Sequence, residues 1–418
     1  MSSPDEILRD AVAAHLAGHL TVAEVGYSKV LRKRPADHQA LYGLGVIHYD
    51  QGARDSGIQY LLRCLQISPD NATTWNTLGS MLIETGKLVE GKAAYQRALE
   101  LSPELSEGWY NLAVCSKREG DLEGATQQLR RAIACPAPFS KAYEVLATML
   151  YEQGHQPEAA QTLADWAASE PTNPIARHMV AAASATEAPS RASDDYVRAH
   201  FDGFADTFDS KLKALGYRGP QLVADALTAA VQRRRPVSSL NTQANSDTPA
   251  LASLLDAGCG TGLCGPLVRK LCRTLVGVDL SLKMLAHAQR RGCYDELVTA
   301  ELGAFMRSRP QAFEALVCAD TLNYFGSLAE PLAAAHECLR AGAPLVFTVE
   351  ALASDASIHR LGVSGRYAHS ESYLRRTLAD SGFDVESIAR ENLRTENGTA
   401  VEAYLVVARR AGVLAGSA

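Results

Sequence analysis

The sequence lacks a long hydrophobic run, although 47% of its 418 residues are hydrophobic. No apolar stretch approaches the roughly 20 residues that a helix needs to cross a bilayer. The first residues, Met-Ser-Ser-Pro-Asp-Glu, also lack the basic start and the apolar stretch of a secretory signal. We therefore expect a cytoplasmic protein that has no membrane partner.

The sequence also lacks any Cys-x-x-Cys pair, and its nine cysteines are an odd number. Both features argue against a disulfide framework and favour reduced thiols. Cys259, Cys264 and Cys272 lie close together, but they have neither the two-plus-two spacing nor the histidine partner of a zinc site. We expect no metal and interpret these cysteines as small packing residues.

Dense basic patches are scarce as well. The net charge is −6, and the one dense basic run is Arg233-Arg234-Arg235. This pattern gives little of the electrostatic footprint that nucleic-acid binding needs, so we expect no nucleic-acid partner. The length predicts two or three domains.

Glycine recurs in the N-terminal half with a period of 34 residues, at positions 18, 52, 86, 120 and 154. Each glycine is surrounded by other regularly placed residues, which in the third unit are Trp75, Leu78, Gly79, Tyr95, Ala98 and Pro103. This pattern resembles the tetratricopeptide repeat (TPR) family, whose period is the same. Residues 1–175 are therefore predicted to form an all-α superhelix of five helix pairs, with repeats over residues 4–173.

Repeat arrays of this family bind partners along the concave face that the first helix of each pair forms. The resemblance places the following residues on that face: Tyr42, Tyr49, Asn76, Glu84, Tyr110, Arg118, Tyr151 and Glu152. Tyrosines among charges of both signs suit a peptide or protein partner. The alternative is that these faces are only solvated and that the array forms a homodimer or covers an active site.

A second pattern begins at Leu254-Leu255-Asp256 and continues into glycines at 258, 260 and 262. A strand that runs into such a turn lets a ligand lie against bare backbone. The spacing is G-x-G-x-G, whereas dinucleotide sites need G-x-G-x-x-G, and position 263 is Leu. Asp256 would repel a pyrophosphate, and Asp279 ends a second apolar run where a ribose would lie. The turn therefore favours a cationic nucleoside over NAD.

These residues resemble the class I S-adenosylmethionine (SAM)-dependent methyltransferases. The resemblance implies that SAM is the cofactor and that the acidic residue after the second strand binds its ribose. It places the cofactor against Asp256, Gly258, Cys259, Gly260, Gly262, Asp279, Leu280, Met284, Glu301, Leu302 and Asp320. A generic glycine turn of another α/β domain is the alternative.

Apolar runs of strand length at 251–256, 274–279, 296–302, 313–320 and 343–350 alternate with helical stretches. Such alternation predicts a parallel sheet with its ligand at the carboxyl ends of the strands. Two extended runs around Glu396-Asn397-Gly398 predict a terminal antiparallel hairpin. The predicted fold is therefore a two-domain α plus α/β protein, with a Rossmann-like methyltransferase core at 251–410 within a domain at 196–412.

Three segments before this core have softer signals. Small and polar residues predict a linker at 176–195, and apolar spacing predicts a cap helix at 196–216. The cap resembles the segment that covers the cofactor in TPR-containing methyltransferases, although a packing helix without ligand contact is equally consistent. Residues 233–250 lack periodicity and are predicted to be a flexible insertion.

The strand ends also suggest where a methyl acceptor would lie. The predicted acceptor pocket contains Phe201, Tyr324, Phe325, Arg366 and His369. The absence of an (Asn/Asp)-Pro-Pro-(Tyr/Phe) motif after the fourth strand argues against methylation of bases or glutamine. No catalytic residue is assigned, because a base is needed only for some acceptors; His369 and Asp320 are the candidates for a hydroxyl or imidazole acceptor. Helix capping is the alternative for His369 and Ser370.

Three functions follow from these patterns. The first is a methyltransferase whose repeats recruit a peptide or protein acceptor. The second is an O- or N-methyltransferase of small molecules (natural products), in which the repeats form a dimer or a lid. The third is a TPR scaffold without catalytic activity.

Overall fold

The structure, a computed structural model, describes residues 3–183, 188–233, 249–354, 357–396 and 398–412. The chain divides into two compact units, Met1–Trp166 and Ala167–Ala418. Across the described ranges, no helix is long and apolar enough to span a membrane. Most of the predicted insertion at 233–250 lies outside the described residues.

The first unit consists of helix pairs that follow the 34-residue period. The helices are α1 (Pro4–Leu16), α2 (Leu20–Lys33), α3 (His38–Asp50), α4 (Arg54–Ile67), α5 (Ala72–Glu84), α6 (Leu88–Leu101), α7 (Ser106–Arg118), α8 (Leu122–Ala134), α9 (Ser140–Glu152) and α10 (Gln156–Ser169). This arrangement confirms the predicted repeats.

Successive repeats are joined by equivalent contacts. The indole nitrogen of Trp75 donates a hydrogen bond to the carbonyl of Pro69, and that of Trp109 donates to Pro103, both at 2.8 Å. Tyr49 donates to Glu84 of the next repeat at 3.0 Å. Tyr49 is only 8% exposed, so this predicted concave-face residue binds a neighbouring repeat.

Asn76 shows the same behaviour in the third repeat. It is 4% exposed and accepts a hydrogen bond from Asn111, 35 positions later, at 3.0 Å. Tyr151, in contrast, is exposed. The predicted partner face is therefore used in part to hold the repeats together.

In the described part of the second unit, four helices precede a nine-stranded sheet. The first helices are α11 (Pro174–Ala183), α12 (Asp194–Asp202), α13 (Phe208–Ala214) and α14 (Gly219–Gln232). The strands are β1 (Leu251–Ala257), β2 (Cys272–Asp279), β3 (Glu296–Thr299), β4 (Ala315–Cys318), β5 (Pro344–Ala351), β6 (His359–Leu361), β7 (Tyr367–His369), β8 (Phe383–Glu396) and β9 (Thr399–Arg410). The helices between them are α15 (Gly265–Val268), α16 (Leu282–Arg290), α17 (Leu302–Arg307), α18 (Ala329–Cys338) and α19 (Glu371–Asp380).

Strands β3, β2, β1, β4 and β5 lie side by side in parallel. Strand β9 pairs antiparallel with β5, and β8 pairs with β9. This topology confirms the predicted parallel sheet with a terminal antiparallel hairpin. The short pair β6 and β7, which joins the carboxyl end of β5, was not predicted, because three-residue strands give too short a pattern to recognise.

The segment predicted as a linker, 176–195, differs from that prediction. It contains most of α11 and the start of α12, and Arg191 forms a β-bridge with Phe325. The imidazole of His178 stacks on Tyr196 with ring centroids 3.8 Å apart. The segment therefore packs against the rest of the second unit; residues 184–187 lie outside the described part.

The predicted single cap helix at 196–216 is also interrupted. Helix α12 ends at Asp202, and a short 3-10 turn at Ala205–Thr207 separates it from α13. The break follows Gly203, and Phe204 has a φ of −138°, far from the helical value. The aromatic rings of the cap nevertheless remain together, as described below.

Candidate functional site

The glycine turn after β1 has the backbone shape that its sequence predicts. Gly258, Gly260 and Gly262 have φ of +72°, +55° and +81°, in the left-handed region that favours glycine. A Cβ on Gly258 would lie 2.7 Å from the Cβ of Thr321. The turn therefore needs glycine for backbone conformation and, at 258, also for space.

Asp279, at the end of β2, is bonded to this turn. Its carboxylate accepts hydrogen bonds from the backbone N–H of Gly260 and of Ser281, both at 2.9 Å. Burial raises the pKa of this carboxyl, while the two backbone hydrogen bonds lower it. The carboxylate is thus fixed beside the turn with lone pairs left to accept further hydrogen bonds.

Asp256 lies behind the turn and accepts a hydrogen bond of 2.6 Å from the hydroxyl of Tyr294. Asp256 is 1% exposed, and burial raises the pKa of its carboxyl to about 7. A Cβ on Gly262 would lie 2.9 Å from the Tyr294 ring. The structure thus differs from the prediction that Asp256 faces a cation, because its carboxylate is directed to Tyr294 and supports the turn from beneath.

A cavity of about 270 Å³ opens above the turn. It is lined by eight of the eleven residues predicted to bind the cofactor: Gly258, Cys259, Gly260, Asp279, Leu280, Glu301, Leu302 and Asp320. Asp256, Gly262 and Met284 are not in the lining, and Met284 is fully buried in α16. These three residues therefore do not face the cavity.

Aromatic side chains of the cap form the opposite wall. Phe201, Phe204 and Phe208 are mutual neighbours, with ring centroids 5.6 to 6.1 Å apart. Phe201 also meets the ring of Tyr324 edge to face at 5.4 Å. Such a wall makes this side of the cavity apolar and offers π faces to a ligand.

Glu301 is held at a third side of the cavity. Its carboxylate caps α17 through the N–H of Ala304 at 2.7 Å and accepts a hydrogen bond from Arg191 at 3.0 Å. Arg191 lies in the segment predicted as a linker, and it also bonds Asp194 at 2.7 Å. The start of the second unit therefore contributes directly to this cavity wall.

An ion-pair cluster lies at the ends of β4, β5 and β8. Arg394, with its side chain 2% exposed, contacts the carboxylates of Asp320 at 2.9 Å, of Glu396 at 2.7 Å, and of Glu350. Arg366 contacts Glu350 at 2.6 Å and Glu396 at 2.8 Å. Three carboxylates and two guanidinium groups give the fully ionised cluster a net charge of −1.

Asp320 is held in an uncommon backbone conformation in this cluster, with φ of +62°. Its N–H donates to the hydroxyl of Thr348 at 2.9 Å, and its carboxylate also accepts from Asn323. Burial raises the pKa of Asp320, whereas Arg394 lowers it. Left-handed non-glycine residues are concentrated at functional sites, and this one lines the cavity.

The predicted acceptor residues separate into two groups. Phe201, Tyr324, Phe325 and Arg366 line the cavity, whereas His369 does not. His369 is fully buried, its Nε2 bonds the carbonyl of Gly326 at 3.2 Å, and its ring stacks on Tyr373. Burial lowers the pKa of His369 to about 4, so the imidazole is neutral near pH 7. It is a packed residue of β7, and Ser370 caps α19.

Several residues of the site were not predicted from the sequence, among them Thr261, Tyr294 and Arg394. Tyr294 and Arg394 belong to no motif and reach the site only through tertiary packing. Thr261 stands inside the glycine motif, so its position was the one available signal. The clustered cysteines are buried and free, which agrees with their predicted packing role.

Comparisons with known proteins agree with this geometry. Residues 255–347 match the family model of a methyltransferase domain. Residues 17–72, 72–105 and 94–127 match models of the tetratricopeptide repeat. The chain joins tetratricopeptide repeats to a methyltransferase domain. This confirms the resemblances predicted from the two glycine patterns.

Two relatives that are similar to part of this chain are methyltransferases by name. Methyltransferase-like protein 27 of Homo sapiens is 33% identical over 29% of this chain and 45% of its own length. A malonyl-[acyl-carrier protein] O-methyltransferase of Pseudescherichia vulneris is 28% identical over 38% of this chain and 57% of its own. The chain thus spans about half the length of these relatives.

One solved structure is similar to part of this chain. A thermophilic TPR protein of Thermus thermophilus covers 43% of this chain and 98% of its own, at 18% identity and a TM-score of 0.37.

Proposed function

We propose that the protein is a SAM-dependent methyltransferase that binds its cofactor in the cavity above the glycine turn. The observation that carries the proposal is the Asp279 carboxylate, which is bonded to the N–H of Gly260 at the edge of a glycine-rich turn. The eight cavity-lining residues predicted for the cofactor are proposed to contact it. Asp256, Gly262 and Met284 are proposed to shape the site from behind.

The residues present fit such a cofactor. Asp279 offers carboxylate lone pairs to ribose hydroxyl groups, and the turn at Gly258 leaves no room for even a Cβ. Bound SAM would supply an electrophilic methyl group on a sulfonium. The phenylalanine wall of the cap would exclude water, and the cavity would align the acceptor with that methyl group.

Neither of the two residues predicted as candidates for a catalytic base is placed as a free base. His369 is packed away from the cavity, and Asp320 already accepts hydrogen bonds from Arg394 and Asn323. We therefore propose that alignment and desolvation supply most of the rate enhancement, and that Asp320 serves mainly to shape the acceptor end.

The finer proposal is that the acceptor is a peptide or protein recruited by the repeats. Repeats of this family commonly bind proteins, and the array keeps exposed groups such as Tyr151 on its first helices. A small-molecule acceptor is the second candidate, and the enclosing aromatic wall of the cavity favours it. A homodimer remains a prediction that sedimentation velocity tests.

Two measurements test these proposals. Calorimetry with SAM tests the cofactor, and absence of binding would support the scaffold function instead. The full-length protein is then incubated with methyl-tritiated SAM and a cell extract, and the label is followed through dialysis. Label retained with protein, and reduced by Tyr151→Ala, supports recruitment by the repeats; label lost on dialysis and unaffected by Tyr151→Ala supports the small-molecule candidate.

A further inference from the structure

Thr261 lies between two glycines of the cavity turn. Its hydroxyl and its carbonyl contact two residues, Asp209 and Arg291, that also contact each other. Its hydroxyl donates a hydrogen bond to one carboxylate oxygen of Asp209 at 2.5 Å. Its carbonyl accepts from the Nε of Arg291, also at 2.5 Å. The Nη2 of Arg291 donates to the second carboxylate oxygen of Asp209 at 2.5 Å. The three residues therefore form a closed ring of hydrogen bonds.

This ring joins three elements that surround the cavity. Asp209 belongs to α13 in the cap, Thr261 to the glycine turn, and Arg291 directly follows α16. Two other cap carboxylates contact the same side. Asp202 accepts a hydrogen bond of 2.5 Å from the hydroxyl of Ser281, and Asp206 contacts His287 at 3.0 Å. Of these three cap contacts, the ring is the one that includes a residue of the turn.

The turn needs such support for a physical reason. Its glycines on both sides of Thr261 have positive φ, and glycine loses more backbone freedom on ordering than any other residue. A free turn would therefore sample many shapes. Arg291 fixes the direction of the Thr261 carbonyl and therefore the plane of the peptide bond between Thr261 and Gly262. The N–H of Gly262, in the same peptide plane, donates a hydrogen bond to the carbonyl of Cys259 at 2.8 Å.

We propose that Asp209, Thr261 and Arg291 are positioning residues that hold the glycine turn in its cofactor-binding shape only while the cap is docked. The cap then does more than cover the cavity, because the turn is ordered through it. Binding of the cofactor and docking of the cap favour each other. This inference rests on the proposed function, since it concerns affinity for SAM and for its demethylated product.

The decisive experiment compares two substitutions at one position in the full-length protein. Thr261→Val keeps the approximate shape but removes the hydroxyl, whereas Thr261→Ser keeps the hydroxyl. We expect Thr261→Val to weaken binding of the demethylated product by about 10- to 100-fold, as for loss of a hydrogen bond to a charged group. We expect Thr261→Ser, which loses a methyl group but keeps the hydroxyl, to bind within about twofold of the unchanged protein. Weaker binding by Thr261→Val alone is then due to the missing hydroxyl and not to side-chain size.

Substitutions of the two partners extend the comparison. Asp209→Asn and Arg291→Lys are each expected to weaken binding of the demethylated product. In the double variant, the dissociation constant is expected to rise by less than the product of the two single fold-changes, because both residues act in one ring. Calorimetry measures the dissociation constants. Hydrogen exchange of residues 258–262, without ligand, is expected to be faster in Thr261→Val than in Thr261→Ser.

A matched control separates positioning from stability. Arg309 and Glu296 form a bidentate pair at 2.8 and 2.5 Å elsewhere in the same unit, and neither lines the cavity. Glu296→Gln is expected to lower the melting temperature without changing affinity. If Thr261→Val behaves in this way too, the positioning role is overturned.

The two proposals fail in different ways. If the unchanged protein binds neither SAM nor its demethylated product, the proposed function fails. Exchange at residues 258–262 then decides the ring by itself: equal rates in Thr261→Val and Thr261→Ser overturn it, and faster rates in Thr261→Val support it. If the unchanged protein binds and all three ring substitutions bind equally well, only the positioning role fails.

Discussion

Glycine has different uses in the two units of this chain. Gly18, Gly52, Gly86, Gly120 and Gly154 end the first helices of the repeats with φ from +77° to +89°, and a Cβ on any of them would meet no atom within 4 Å. Gly258 has a similar φ of +72°, but a Cβ there would meet the Thr321 side chain. The repeats need glycine for backbone conformation alone, whereas the methyltransferase domain also needs the space.

The largest effect is expected from Gly258→Ala. The added methyl group clashes with Thr321 and also strains the backbone, so the turn must change shape. We expect affinity for SAM to fall by at least about 100-fold. Calorimetry measures this, and circular dichroism reports whether the variant is folded.

Gly292→Ala is the control for that prediction. Gly292 lies in the same unit with φ of +64°, but a Cβ there would meet no atom within 4 Å. It should lose some stability and keep its affinity for SAM. Equal affinities of the two variants would contradict the role given to space at position 258.

The second comparison concerns ion pairs. Arg394 is 2% exposed and contacts three carboxylates, so Arg394→Met leaves buried charges uncompensated. We expect the free energy of unfolding to fall by about 3–5 kcal/mol. Arg130 in the repeats contacts Glu158 at 2.7 Å with both side chains 56% exposed, and Arg130→Met should cost about 1 kcal/mol or less.

Native-state hydrogen exchange measures both ion-pair losses locally. Exchange from β8 and β9 reports on Arg394→Met, and exchange from α8 reports on Arg130→Met. Similar losses at the two sites would show that burial does not control the strength of these pairs.

The third prediction concerns pH. The pKa of Asp256 is about 7 in the folded chain, above its ordinary value of 3.8. The folded state therefore binds this proton more tightly, and stability falls as pH rises from about 4 to about 7, on the order of 1 kcal/mol per pH unit. Asp256→Asn removes this dependence. Unfolding by urea at pH 5, 6, 7 and 8 measures the difference between the two proteins, which should stop growing above pH 7.

The smallest effect is expected from Gly86→Ala in the repeats. An alanine at position 86 meets no neighbouring atom and is disfavoured only by the positive φ. We therefore expect the free energy of unfolding to fall by about 1 kcal/mol. Trp75 lies on the helix before this turn and Trp109 on the second helix after it, and their fluorescence during urea unfolding measures the loss. Affinity for SAM should not change; a tenfold change would show that the glycines of the two units are not used differently.

Much of the fold follows from local sequence. The 34-residue glycine period predicted the helix pairs, and the apolar runs that alternate with helical stretches predicted β1 to β5. The turn signal at Glu396-Asn397-Gly398, between two extended runs, predicted the hairpin of β8 and β9. The errors have physical causes. The cap breaks at Gly203 because Phe204 leaves the helical region, and the segment at 176–195 packs because His178 stacks on Tyr196. Neither the backbone conformation of Phe204 nor the stacking of His178 on Tyr196 leaves a periodic pattern in the sequence.

The candidate site divides in the same way. Eight of the eleven predicted cofactor residues line the cavity, since the carboxyl ends of parallel strands meet at one edge of the sheet. His369 is packed outside the cavity, because the short strand β7 turns its imidazole toward Gly326 and Tyr373. Asp256 faces Tyr294, a residue that no motif contains.

The sequence by itself determined the repeats, the order of strands and helices, and the turn beside Asp279, because these depend on residues that are close in the chain. Only the tertiary structure decided which carboxylates face the cavity and which support it. Thr261 finds Asp209 52 positions away, and Asp320 finds Arg394 74 positions away. Such partners are chosen by packing and charge in three dimensions, and no local pattern records them.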